Sequence, residues 1–194
     1  MAPRSPAVRA RALQDALSLL KEQDPAAHER MRSMVPETAW QTVGSSTRTA
    51  WLGVELEREF VSRWPELLGE DGATRFLVES VCRTLVSPLF GSTIKAAFRM
   101  FGATPRAFIK VLPRAWPHIY RDHLEVRVPV ADREGATIEF EDIAPALLRG
   151  PGYPLVWKAI LLAIVRTSGY EAEASWTLDP ARRAGTWRLR WRAE

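Results

Sequence analysis

Residues 153–167 read Tyr-Pro-Leu-Val-Trp-Lys-Ala-Ile-Leu-Leu-Ala-Ile-Val-Arg-Thr, apolar nearly all the way round a helix. A helix with no polar face has to be covered on several sides. What lies beside it in sequence says by what. Before it, Leu124, Val126, Val128 and Val130 alternate with His123, Glu125, Arg127 and Pro129, and Ala136, Ile138 and Phe140 alternate with Thr137, Glu139 and Glu141. Asp132-Arg133-Glu134-Gly135 supplies a turn between them. After it, Tyr170, Ala172, Ala174 and Trp176, then Trp187, Leu189 and Trp191, repeat the same two-residue period. Period two marks half-buried strands. The order predicts two antiparallel hairpins flanking one central helix.

The first half of the chain reads as helices. Val8, Leu13, Leu17 and Leu20 have helical spacing; Asp24-Pro25 opens a second helix, and Val35-Pro36-Glu37 breaks it before a third near Trp40. Leu52, Leu56, Phe60 and Trp64 fall four apart, predicting a helix over 52–68 with that face buried. Helices are also expected over 73–86, 92–101 and 104–122. Thr104-Pro105 is an N-cap and first helical residue, and Pro113 and Pro117 kink or split the last of them. The expected fold class is α+β, a helical layer on a four-stranded antiparallel sheet, with an N-terminal helical extension. The domains are expected to be a flexible tail at 1–5, a helical segment at 6–49 and an α+β ligand-binding-like unit at 50–194.

Several function classes are disfavoured. Cys82 is the single cysteine, so neither an intrachain disulfide nor a cysteine-based zinc cluster can form. No apolar stretch reaches the length of a membrane span and no signal peptide is evident, so a cytoplasmic protein is expected. No phosphate-binding glycine loop and no Gly-x-Ser-x-Gly elbow occurs, and the chain is not expected to be an enzyme. The formal charge of +4 is carried almost wholly by arginine. Arg182, Arg183, Arg188, Arg190 and Arg192 form a basic surface near the C-terminus, the place where nucleic acid would bind if it bound at all. His28, His118 and His123 have no ligand-like spacing; His118 is expected at a helix end and His123 facing water on a strand.

The run Ala97-Phe98-Arg99-Met100-Phe101-Gly102-Ala103-Thr104-Pro105 resembles the Ala-Phe-Lys-Met-Tyr…Thr-Pro run of TRAPP vesicle-tethering subunits. The order of elements over roughly residues 50–192 is similar to the fold those subunits share with bacterial heme–nitric-oxide-binding domains and 4-vinyl-reductase domains. The large aromatics on the expected inward faces either fill the core or ring a pocket, for which Cys82, Arg83, Phe98, Arg99, Phe101, Trp116, Tyr120 and Trp157 are the candidates. Heme-binding members carry an axial histidine on a helix and a Tyr-x-Ser-x-Arg run. Neither Tyr120-Arg121-Asp122-His123 nor Tyr170-Glu171-Ala172-Glu173 supplies that run, so no cofactor is expected and heme is disfavoured. The expected function is a non-catalytic module that binds an apolar small molecule or acyl chain and acts through a protein partner or homodimer. The alternative is a scaffold subunit with a filled core that dimerises as TRAPP subunits do.

Overall fold

The computed structural model describes residues 5–85, 104–150 and 152–193. The expected helix at 92–101, with Phe98, Arg99 and Phe101, lies outside them. The elements run β1 (Ala7–Arg9), α1 (Ala10–Gln23), α2 (Pro25–Met34), α3 (Glu37–Ser45), β2 (Trp51–Gly53), α4 (Val54–Val61) and α5 (Trp64–Leu85). From residue 105 on come α6 (Pro105–Ala115), a 3-10 turn (Trp116–His118), β3 (Tyr120–Arg121), β4 (Glu125–Ala131) and β5 (Gly135–Glu141). A 3-10 turn at Pro145–Leu148, α7 (Gly152–Arg166), β6 (Tyr170–Asp179) and β7 (Ala184–Ala193) complete the chain.

Local chemistry fixes the helix starts. The Asp24 carboxylate accepts from the Ala27 N–H at 2.8 Å with Pro25 in the first turn, and Thr104 accepts from Ala107 at 3.3 Å with Pro105 behind it. Each satisfies a donor that the first turn would leave orphaned. Pro113 stays within α6, and the helix gives way to the 3-10 turn just before Pro117. The helix expected over 52–68 divides: α4 ends at Val61, and α5 is itself broken at Gly69, whose φ of 70° is left-handed. The chain at Val8 also departs from expectation. β1 pairs antiparallel with β2 and β3, Val8 opposite both Leu52 and Tyr120, so residues near the N-terminus form a three-stranded sheet with later segments.

The second sheet has the order β4-β5-β7-β6, all antiparallel, so the two hairpins meet along β5 and β7. Its inner face carries Ala136, Ile138, Phe140, Trp187, Leu189 and Trp191, all buried. Helix α7 lies against this face, with α4, α5 and α6 packed around it. Tyr153, Trp157, Ala159, Leu161, Ala163 and Val165 are essentially inaccessible. The central helix is therefore sandwiched, as its composition requires. At its start Gly152 allows a close approach, because a Cβ there would sit 2.7 Å from the Val61 carbonyl oxygen of α4.

Candidate functional site

A carboxyl group, an imidazole and two phenols meet where α4, β3 and the first turn of α7 converge. Glu57 comes from α4, Tyr120 from β3, His123 from the β3–β4 connection and Tyr153 from α7. All four side chains are buried, Glu57 at 2% and His123 at 1% exposure. Asp122 has a φ of 54°, and this left-handed residue separates β3 from the turn that sends His123 inward. The His123 carbonyl then accepts from Ala144 N–H at 2.8 Å, tying the turn to the segment after β5. The expectation that His123 faces water on a strand is thus corrected. His118 is the exposed one, and His28 packs edge-on against Trp40.

The Tyr153 hydroxyl lies 3.2 Å from both the Glu57 Oε2 and the Val54 carbonyl, with its single proton to donate to one of them. His123 Nε2 sits 3.5 Å from the same Oε2, and the His123 ring lies 4.8 Å from the Tyr120 ring and 6.2 Å from that of Tyr153. Neither ring nitrogen of His123 has a hydrogen-bond partner among the described residues. Burial pushes the Glu57 carboxyl up to about 8, a shift that the Tyr153 hydroxyl opposes, and pushes His123 down to about 3. Both phenols are raised, again by burial first and then by Glu57. At neutral pH the cluster is therefore uncharged: a protonated acid beside a neutral imidazole, not an ion pair.

Immediately outside lies an open groove of about 650 Å³, lined by Val54, Asp122, Ala144, Asp142 and Arg183 among others. Asp122, Asp142 and Arg183 all have positive φ, and they are the only non-glycine residues described that do. Such backbone costs about 1–2 kcal/mol per residue. An ion pair between Arg183 and Asp142 and the Ile143 N–H bonded to the Arg183 carbonyl at 2.9 Å hold the groove's wall.

The residues singled out from sequence divide into groups. Trp116, Tyr120 and Trp157 come together: Trp116 stacks on Tyr120 at 4.8 Å, and Phe140 lies 5.4 Å from Trp116 and 5.3 Å from Trp157. Among the described residues these rings pack on one another between sheet and helix. Cys82 faces α7 from α5, its thiol 3.6 Å from the Ala163 carbonyl and accepting from Thr167 at 3.7 Å. Arg83 points to the surface and pairs with Glu22 at 3.1 Å, away from the aromatic cluster. Arg188, Arg190 and Arg192 lie on the exposed face of β7, but β6 sets Glu173 opposite Arg190 and Glu171 opposite Arg192, the last pair bonded at 3.1 Å. The ladder is thus interleaved with carboxylates. Arg182 sits in the β6–β7 turn, its N–H bonded to Asp179. Glu57 was not anticipated. Its signal is present in the sequence, since Val54, Glu57 and Val61 share one helix face, and a carboxylate on an apolar stripe is the anomaly.

No protein family's sequence profile matches the chain, and no curated protein matches it in sequence. Solved structures do match in shape. A mutant Fe(II) unliganded H-NOX protein from K. algicida superposes with a TM-score of 0.65 at 7% identity, over 96% of this chain and 97% of that one. The Fe(II) unliganded H-NOX protein from the same organism gives 0.60 at 7% identity over 96% and 97%. A structure described as probing heme distortion in the H-NOX family gives 0.59 at 8% identity over 96% and 95%.

These neighbours contradict the expectation of a chain with no cofactor and with heme disfavoured: the matching structures named above are described by their Fe(II) or heme. Among the residues present, His123 fits such a group in its chemistry, being the one buried histidine, neutral and unpartnered, the state in which an imidazole binds iron. The ring is enclosed by Tyr120 and Tyr153 and lines none of the three grooves described, so ligation requires it to be uncovered. No helix among the described residues is long and apolar enough to cross a membrane. The α+β architecture, a helical layer on a four-stranded antiparallel sheet, is that of the H-NOX domains.

Proposed function

We propose that this chain is a non-catalytic, small-molecule-binding sensory domain in which the His123 imidazole meets the ligand and a protein partner receives the signal. The observation that carries the reading is a buried imidazole with both nitrogens unpartnered. A polar group left so costs about 1–3 kcal/mol, and unsatisfied buried groups with perturbed titration concentrate at functional sites. Heme is the first ligand to test because the structural neighbours are described as Fe(II) and heme proteins. Its iron would supply a centre able to take a diatomic gas.

The test is to incubate purified protein with hemin and desalt it. A Soret band retained by the wild-type chain and lost in His123→Leu is the expected result. An equal band in both proteins would remove His123 from the role, and no band in either would remove heme as the ligand.

A second reading, a scaffold subunit that dimerises through its helices, is favoured by one observation. The rings of Trp116, Tyr120, Phe140, Trp157, Trp176 and Trp187 touch in series at 4.6–5.9 Å, as a filled core does. Native mass spectrometry showing a stable dimer at the bare polypeptide mass, together with no hemin uptake, would select this reading over the first.

A further inference from the structure

We propose that the groove between α5, the end of α7 and the open end of the β6–β7 hairpin is a binding site for a small aryl carboxylate. The groove holds about 720 Å³, within the range of small-ligand sites. Val78 of α5, Leu162 of α7 and Trp191 of β7 are buried or half-buried apolar residues of its lining, and half-buried Tyr170 lines it too. Its rim is basic. Arg75 from α5, Arg166 from α7 and Arg190 from β7 reach it from three different elements.

The charge on the rim is not cancelled internally. Four guanidiniums face two carboxylates along the lining. One of those carboxylates, Glu171, is already bonded to Arg192 at 3.1 Å. The other, Glu173, stands opposite Arg190 in the strand register, but the two form no ion pair. Arg75 and Arg166 have no ion-pair partner among the described residues. A planar guanidinium pairs with a carboxylate through two parallel N–H···O bonds, so unpaired arginines beside an apolar lining select an anionic head on an apolar body. An aromatic body suits the Tyr170 and Trp191 lining, where ring-to-ring contact adds to simple burial. A second groove, reached past Tyr170 and Trp191, carries Arg106, Lys110 and Arg133 against Asp132 and extends the same positive field. This site is separate from the Glu57–His123 cluster and does not depend on it.

The experiment is calorimetric titration of the full chain with naphthoate and with the isosteric, uncharged naphthamide. Naphthoate is expected to bind with one-to-one stoichiometry and about tenfold more tightly than the amide, the size of one charge-assisted contact. The Arg75→Gln/Arg166→Gln double variant is expected to lose about tenfold in naphthoate affinity with an unchanged circular dichroism spectrum, whereas Arg188→Gln, outside the groove, leaves binding within about twofold. Absence of saturable naphthoate binding, equal affinity for acid and amide, or an unaffected double variant would each overturn the proposal. Since hemin uptake is scored separately through His123, any of these results leaves the sensory reading standing or falling on its own test.

Discussion

Glu57 Oε2 and His123 Nε2 lie 3.5 Å apart in the protein interior, yet neither side chain is charged at neutral pH. Were the pair an ion pair, its attraction would have to repay the removal of two charges from water, and at this distance with poor hydrogen-bond geometry it does not. Desolvation wins on both partners, raising the acid and lowering the base. The site is thus set up by burial, with the Tyr153 hydroxyl the hydrogen-bonding neighbour of the acid among the described residues.

The stability of the fold should therefore have two opposed pH edges. Glu57 rises from 4.5 to about 8 on folding, so its contribution is complete below 4.5 and is lost as pH climbs through 8. His123 falls from 6.5 to about 3, so its contribution is complete above 6.5 and is lost as pH drops through 3. Between 4.5 and 6.5 the two slopes oppose and the curve flattens. Urea midpoints across pH should show Glu57→Gln losing the alkaline decline and exceeding the wild type near pH 8, while His123→Phe loses the acid one. An alkaline edge that survives Glu57→Gln would show that the carboxyl ionises without cost where it stands.

Trp157 is the residue on which the central helix turns. It is 1% exposed and touches Phe140, Tyr153 and Trp176 from the middle of α7. Trp157→Ala should cost about 3–5 kcal/mol, a transfer loss plus an unfilled cavity between helix and sheet. A denaturant melt showing less than about 1 kcal/mol would mean the surroundings collapse onto the gap, against the packing described.

What could be read in advance followed the range of the interactions. Asp24-Pro25 and Thr104-Pro105 are caps, and a cap is decided within four residues, so both starts were legible. The two hairpins were legible because Ile138 with Phe140, and Trp187 with Leu189, each expose the two-residue period on one face. Val8 has helical spacing with Leu13 and Leu17 because a three-residue strand shows no period, and only pairing with Leu52 and Tyr120 makes it one. The inward turn of His123 is hidden in the sequence for a similar reason. Its direction depends on the left-handed Asp122 before it, a conformation that nothing in the alternation of residues 123–130 announces. Leu52 and Leu56 suggested one buried stripe through residues 52–68, but the division of that segment between β2 and α4 brought Val54, Glu57 and Val61 inward as well.

The Asp24 cap gives a local check on the N-terminal helices. Its carboxylate accepts from Ala27 N–H at 2.8 Å, at a site where α1 ends and α2 begins. Asp24→Ala should destabilise by about 1 kcal/mol, and Asp24→Asn, which keeps an acceptor oxygen, by much less. Equal losses in the two variants would point to charge instead of the hydrogen bond as the source.

Gly185 tests the hairpin that closes the sheet. It faces Phe140 on one neighbouring strand and Leu178 on the other, and the Trp176 ring lies flat over the place where a side chain would begin. A Cβ at Gly185 would come within 2.0 Å of that ring, a distance no adjustment of the backbone alone relieves. Gly185→Ala must therefore push Trp176 off Trp187, with which it stacks at 4.6 Å, and should cost about 1–3 kcal/mol with a changed near-ultraviolet circular dichroism signal. Gly44→Ala is the matched control, because it lies in α3 with nothing within 4 Å of the added carbon. There the loss of backbone freedom in the unfolded chain dominates, and the substitution should stabilise by roughly 0.5–1 kcal/mol. If Gly185→Ala proved as harmless as the control, the Trp176 ring would have to leave its stack freely, and the aromatic series from Trp187 to Trp116 would not be the filled core described above.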